Sequence, residues 1–139
     1  MHLGLKIKNL GGIIPEWKNL SDAGLDLHVA VDTAVPGGQQ CLIPLGFATE
    51  FPNTYVAIIK DRSGMALRGI YTHGGIIDSC YRGEWKAMIE NTRSEPWLFK
   101  RGERIAQVIF LPVFHLHIEE VTKLGDSIRG SGGFGSTGS

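Results

Sequence analysis

Residues 25–31 read Leu-Asp-Leu-His-Val-Ala-Val, so Leu25, Leu27, Val29 and Val31 share one face while Asp26 and His28 point the other way. Apolar side chains that recur every second residue fit a pleated strand with one face on a core, and they cannot line one side of a helix. Asp26 is therefore expected outside the core. Similar short runs lie at 55–59, 85–90 and 113–121, with turn signals at Pro36-Gly37-Gly38 and Pro52-Asn53-Thr54. Short runs bounded by such residues define an all-β chain of about ten strands. The run Ile105-Ala106-Gln107-Val108-Ile109-Phe110-Leu111 is apolar on both faces, which predicts a strand covered on both sides and points to contacts between subunits. One brief helix is expected over 63–68, with Ser63 as its N-cap and Gly69 as its stop.

The chain has 139 residues, enough for one domain with an ordinary core. Its 14 basic and 14 acidic side chains cancel, which argues against a nucleic-acid polymer as partner, since phosphate-backbone binding draws on a surplus of Lys and Arg. Cys41 and Cys80 stand far apart without a C-x-x-C spacing, so free thiols are expected. No run has the length of a membrane span or the pattern of a signal peptide, and a soluble, cytoplasmic protein without membrane contact is expected. Glycine departs from the average: 19 of 139 residues is about 14%, twice the ordinary share. Several of these glycines fall in 129–139, Arg-Gly-Ser-Gly-Gly-Phe-Gly-Ser-Thr-Gly-Ser. The organisation expected is a β domain over 1–128 and a mobile arm over 129–139.

Four stretches carry candidate chemistry, each beside a plainer meaning. The arm has the composition of a flexible linker, yet Phe134 among glycines can stack on a nucleobase while Arg129, Ser136, Thr137 and backbone N–H groups hold phosphates. Arg62-Ser63-Gly64 opens the short helix, where free N–H groups suit an anion; Ser63 as a mere cap is the alternative. Gly74-Gly75-Ile76-Ile77-Asp78-Ser79-Cys80-Tyr81-Arg82-Gly83 reads as a hairpin with polar groups at a strand end, or as a turn whose Asp accepts backbone bonds. Gln107, an amide inside an apolar strand, needs a partner when buried. His115 and His117 share a strand face but lack a third metal ligand, which reads as a solvated face.

In their order along the chain these pieces resemble the homotrimeric dUTP diphosphatase (dUTPase) family. The likeness rests on Ala23-Gly24-Leu25-Asp26-Leu27, Arg62-Ser63-Gly64, Gly75-Ile76-Ile77-Asp78 with Tyr81-Arg82-Gly83, Arg104-Ile105-Ala106-Gln107, and the arm from Arg129 to Gly138. It implies an all-β, jelly-roll-like distorted β-barrel with one short helix and a flexible glycine-rich C-terminal arm. It further implies a homotrimer whose active sites are shared between subunits, and hydrolysis of dUTP to dUMP and pyrophosphate with Mg²⁺. Such an activity keeps uracil out of DNA and supplies dUMP for thymidylate synthesis.

By the same resemblance, Asp78 is the general base for a water that attacks the α-phosphorus. Arg129 and Gln107 join it as catalytic residues, and Tyr81 packs under the deoxyribose. The stretch 70–77, with Thr72, Gly75 and Ile77, reads uracil through its main chain. Arg62, Ser63, Gly64 and Gln107 hold phosphates, while Arg129, Phe134, Gly135, Ser136 and Thr137 close over the nucleotide. Asp26 serves Mg²⁺ through water. A dCTP deaminase, with a related fold, carries Arg-Ser-Ser in the second motif and a catalytic Glu where this chain has Met88. Asp61 departs from the family's proline before Arg-Ser-Gly, which predicts a looser loop and a negative charge near the phosphates. Cys80 replaces a frequent acid, and Trp85 is bulkier than the family pattern.

Overall fold

The computed structural model describes residues 4–136 and residue 138. Among them, eleven strands and one helix follow in chain order: β1 (Lys6–Asn9), β2 (Leu25–His28), β3 (Thr33–Val35), β4 (Gln40–Pro44), β5 (Phe47–Glu50), β6 (Tyr55–Lys60), α1 (Ser63–Ala66), β7 (Ile70–His73), β8 (Ile76–Ile77), β9 (Lys86–Asn91), β10 (Trp97–Phe99) and β11 (Arg104–Pro112). The fold is all-β and jelly-roll-like, as the resemblance implied. Its strands divide into sheets ordered β2-β11-β6-β8, β4-β9-β7, β1-β5 and β10-β3, and no ladder closes into a barrel among the described residues.

Period-two alternation sets which side chains meet. Leu25 and Leu27 of β2 are buried while Asp26 and His28 are half-buried on the opposite face. Ala57 and Ile59 of β6 and Ala87 and Ile89 of β9 turn inward to the same core. Each fully buried Leu, Ile or Phe contributes roughly 1.5–3 kcal/mol. Trp85 packs its ring 5.2 Å from that of Phe47, and its indole N–H donates to Thr49 Oγ1 at 2.9 Å. The residue that looked too bulky for the family pattern is thus a core anchor with its polar atom satisfied.

Four expectations change in the structure. The run from Leu25 leaves its strand after His28, because Val29 N–H donates to Glu103 O and Ala30 N–H to Pro44 O rather than to one neighbouring strand. Val31 then turns outward. The alternating run 113–121 forms no strand: past the bond from Val113 N–H to Thr54 O, Phe114, Leu116 and Ile118 lie exposed. A strand needs a partner for its N–H and C=O groups, and no strand among the described residues pairs with that segment. Ser63 is the first residue of α1 and not its cap, since Arg62 occupies the cap position with extended backbone and no side chain caps the helix. Gly69 does end the turn, at φ +81°.

The fourth change concerns the glycine pair. Gly74 and Gly75 both take positive φ, +62° and +93°, as a tight two-residue turn demands. However, β7 pairs with β9 and β8 pairs with β6. The stretch read as a hairpin is therefore a corner that carries the chain from one sheet to the other.

Asn91, at the end of β9, is completely buried. Its Nδ2 donates to Val35 O at 3.0 Å and Glu95 O at 2.8 Å, and its Oδ1 accepts from Arg93 N–H at 3.0 Å. Asn91→Ala removes these bonds and strands buried polar groups, so urea denaturation is expected to show a loss of about 2–4 kcal/mol.

Candidate active site

The central strand β11 lies between β2 and β6, with Gln107 opposite Asp26 on one side and Lys60 on the other. Gln107 Nε2 donates to Asp61 O at 2.8 Å, which satisfies the amide. Gly24 packs against the same carboxamide: a Cβ there would stand 2.6 Å from Gln107 Oε1, so a side chain at Gly24 would displace it. Asp26, half-buried, faces Arg62 Nε at 3.6 Å, Arg104 Nη1 at 3.4 Å and Lys18 Nζ at 3.9 Å. Three cations around one carboxylate leave a local surplus of positive charge. They open onto a cleft of about 720 Å³ lined by Lys18, His28, Arg62, Arg68 and Arg104, with Glu103 as the acid among its lining residues. Such a surface attracts a polyanion.

His28 sits beside this charge. Burial holds its imidazole below the usual histidine range, and Lys18, Arg104 and Arg62 add to that effect while Asp26 opposes it. Its Nδ1 is buried without a hydrogen-bond partner among the described residues.

The glycine corner is tied to the same end of β6. Ile59 N–H donates to Gly75 O at 2.7 Å, and a Cβ on Gly75 would fall 2.6 Å from Ile59 O. Asp61 Oδ1 accepts from both the N–H and the hydroxyl of Thr72, each at 2.5 Å. The expected looseness of the Asp61 loop is thus reversed, because its carboxylate is engaged by Thr72 and fastens the loop to β7.

Asp78 follows Ile77 at the other end of this arrangement. Tyr81 N–H donates to Asp78 O at 3.0 Å, and the Tyr81 hydroxyl donates to Glu84 O at 3.0 Å. Gly83 makes this fold-back possible, since a Cβ there would lie 2.5 Å from the Tyr81 oxygen. The exposed Asp78 lines a second cleft of about 310 Å³ together with Tyr55, Cys80 and His115. Ile77 pairs with Ala57, whereas the Gln107 seat is level with Lys60. The three steps from Ala57 to Lys60 span about 10 Å, and Arg62 lies beyond Lys60 and Asp78 beyond Ile77. The chain therefore gathers Asp26, Arg62, Ser63, Gly64, Thr72, Gly75 and Gln107 at one end of β6 and sets Ile77, Asp78 and Tyr81 toward the other.

The arm stays apart from both groups. Arg129 Nε donates to Gly132 O at 2.6 Å, and among the described residues the backbone N–H bonds of Gly130, Gly132, Ser136 and Gly138 close turns within the arm and to Ser127. Phe134, at φ +51°, is fully exposed, as are Gly135 and Ser136. Thr137 lies outside the described residues.

Sequence reasoning missed Lys18 and Arg104 as neighbours of Asp26. Arg104 and Gln107 are an odd number of residues apart, which in a regular strand sends them to opposite faces. A bulge between Arg104 and Ala106 shifts the register, so Arg104 also reaches the carboxylate. Among the described residues, no group of three His, Cys, Asp or Glu side chains is placed to hold a metal ion. No helix among them is long and apolar enough to cross a membrane.

The sequence profile of the dUTPase family matches residues 11–138. The chain belongs to the dUTPase family. A deoxyuridine 5'-triphosphate nucleotidohydrolase of Clostridioides difficile is 40% identical over 96% of this chain and 97% of its own length. One from Rhizobium johnstonii is 37% identical over 96% and 91%. In fold, the chain is similar to a variant of the Staphylococcus bacteriophage 80alpha dUTPase with dUpNHpp, at a TM-score of 0.92 and 24% identity, covering 98% of this chain and 99% of that one. This fold distributes Asp26, Arg62, Asp78, Gln107 and Arg129 over two ends of one sheet and the arm.

The lowered pKa of His28 fixes the sign of a pH effect. As pH falls through the ordinary histidine range the unfolded chain takes up a proton before the folded one does, so stability declines toward acid. The melting temperature is expected to drop between pH 7 and 5.5, and the drop to shrink in His28→Asn when both are followed by circular dichroism.

Proposed function

We propose that this chain is a dUTP diphosphatase that hydrolyses dUTP to dUMP and pyrophosphate, and thereby keeps uracil out of DNA and supplies dUMP for thymidylate synthesis. The observation that carries this reading is the seat in which Arg62, Arg104 and Lys18 surround Asp26 beside Gln107. It offers a triphosphate several cations and amides in a cleft fixed by the strand ladders. Arg62, Ser63, Gly64 and Gln107 hold the phosphates. The main chain of residues 70–77, including Thr72, Gly75 and Ile77, reads the uracil edge, and its closeness excludes the thymine methyl. Tyr81 underlies the deoxyribose and refuses a 2′-hydroxyl.

Asp78 takes a proton from the attacking water as that water adds to the α-phosphorus and pyrophosphate leaves. The exposure of its carboxylate in a cleft leaves it free to do so. The donor set fits Mg²⁺ only as an ion carried by the substrate: Asp26 is the acid at the seat and is already shared by three cations, which suits contact through water. When bound, Mg²⁺ offsets phosphate charge. Arg129, Phe134, Gly135, Ser136 and Thr137 close over the nucleotide, with Phe134 stacked on the base.

The placement of Asp78 and Arg62 toward opposite ends of β6 supports a shared site. A base must lie within hydrogen-bond reach of a water at the same phosphate chain that the seat holds, so a second copy supplies one of the two. The exposed row Phe114, Leu116 and Ile118 and the undocked arm fit a homotrimer in which this segment crosses to a neighbour. A cytoplasmic location, with neither nucleic-acid polymer nor membrane as partner, completes the reading.

Pyrophosphate release measured on dUTP, dTTP, dCTP and UTP tests the substrate. Turnover confined to dUTP is expected, and ammonia from dCTP would overturn the reading. Asp78→Asn is expected to bind dUTP normally while turnover falls about 10²–10⁴-fold; a near-normal rate would remove Asp78 as the base. A chain ending at Ile128 is expected to be nearly inactive by itself. Co-refolding it with Asp78→Asn is expected to restore activity, because mixed trimers contain sites with an intact base from one chain and an intact arm from another. Additive, unrestored rates would exclude a shared site.

A further inference from the structure

We propose that Asp61 is a positioning residue that sets base selectivity, by fixing the edge strand β7 to the phosphate seat. The inference rests on the reading of residues 70–77 as the base-reading main chain. β7 is the outer strand of the β4-β9-β7 sheet, so one row of its backbone groups has no neighbouring strand. Asp61 caps that edge: its Oδ1 accepts from Thr72 N–H and from Thr72 Oγ1. Across β7, Thr72 pairs with Ile89 of β9. The strand β7 is therefore held by the β9 ladder along one edge and by Asp61 at Thr72 on the other.

Asp61 belongs to the loop that leaves β6, and its own carbonyl accepts from Gln107 Nε2 at 2.8 Å. The next residue, Arg62, has its Nε 3.6 Å from Asp26. A single residue thus touches the base-reading strand with its side chain and the phosphate seat with its backbone. The second tie, from Ile59 N–H to Gly75 O, is two residues away along the same chain, so the corner has two anchors on alternate residues. The tie at Ile59 is backbone to backbone and survives any substitution at Asp61. Only the tie at Thr72 depends on a side chain.

The carboxylate has a second consequence. One residue from Arg62, a free negative charge would oppose a polyanion. Two hydrogen bonds from Thr72 commit one of its oxygens to β7 and fix where that charge sits. A neutral acceptor of the same shape can make the same bonds, so geometry and charge are separable by substitution.

The experiment measures kcat/KM for dUTP and dTTP in the full chain, since the two substrates differ by one methyl group. A fitted pocket discriminates such a difference by roughly 10–200-fold. Asp61→Ala frees the Thr72 edge, and the dUTP-to-dTTP ratio is expected to fall by about tenfold, with dTTP gaining turnover as the pocket relaxes. Asp61→Asn retains an acceptor and is expected to recover most of the ratio. Thr72→Val removes the hydroxyl bond alone and is expected to give an intermediate ratio.

If Asp61→Ala and Asp61→Asn change both substrates equally and leave the ratio intact, Asp61 acts through charge on the phosphates and the proposal is overturned. A lowered melting temperature with an unchanged ratio overturns it as well, because that is a purely structural role. Should Asp61→Ala fail to fold, Thr72→Val decides: a reduced ratio supports the clamp and a wild-type ratio refutes it. Failure of the wild-type chain to hydrolyse dUTP would instead defeat the functional reading itself, which keeps the two failures distinct.

Discussion

The antiparallel ladder of β11 is the constraint on which the molecule depends. Ile105, Ala106 and Val108 are buried within it, and its two neighbours place Asp26 and Lys60 on either side of Gln107. A slip of one residue in this ladder would send every side chain to the opposite face. Gln107, the polar residue of the run 105–111, would then turn into the core and lose both Gly24 and Asp61. The burial that stabilises the fold therefore also fixes the geometry of the cation cluster around Asp26.

The charge of the chain illustrates how an average conceals an arrangement. Equal numbers of acids and bases give zero net charge, yet Lys18, Arg62 and Arg104 converge on one carboxylate. Isolated exposed ion pairs contribute little to stability. Clustered beside a cleft, they favour an anion there, and the pKa of His28 is lowered chiefly by burial, with Asp26 opposing and the three cations adding to the shift.

Much of the fold was legible because strand alternation and glycine conformation are local properties. The alternation at Leu25 and Leu27 placed Asp26 outside the core, and Gly74 and Gly75 marked a turn with positive φ. The same local signals misassigned the partners of those elements. The stretch around Gly74-Gly75 looks like a hairpin in sequence, but β7 and β8 belong to different sheets. The alternation at 113–121 is strand-like, but no strand among the described residues pairs with it. The bulge beside Arg104 was invisible because it depends on which residues of β2 lie opposite. The resemblance to a family marked Asp61 as a departure, while the direction of its carboxylate required the neighbouring strand.

By itself, the sequence determined the all-β class, the inward-facing residues, the turn positions and the ordered motifs that place the chain in the dUTPase family. Those follow from side-chain periodicity, backbone freedom at glycine and residue identity, each of which is read within a few positions. The tertiary structure decided which cations meet Asp26, where Asp61 places its carboxylate, and that Asp78 lies toward the other end of β6 from Arg62 within this chain. These are contacts between residues distant along the chain, set by ladder register and by the entry of each strand into one sheet or another. A linear pattern of residue types does not specify such pairings, because the same alternation can join more than one partner.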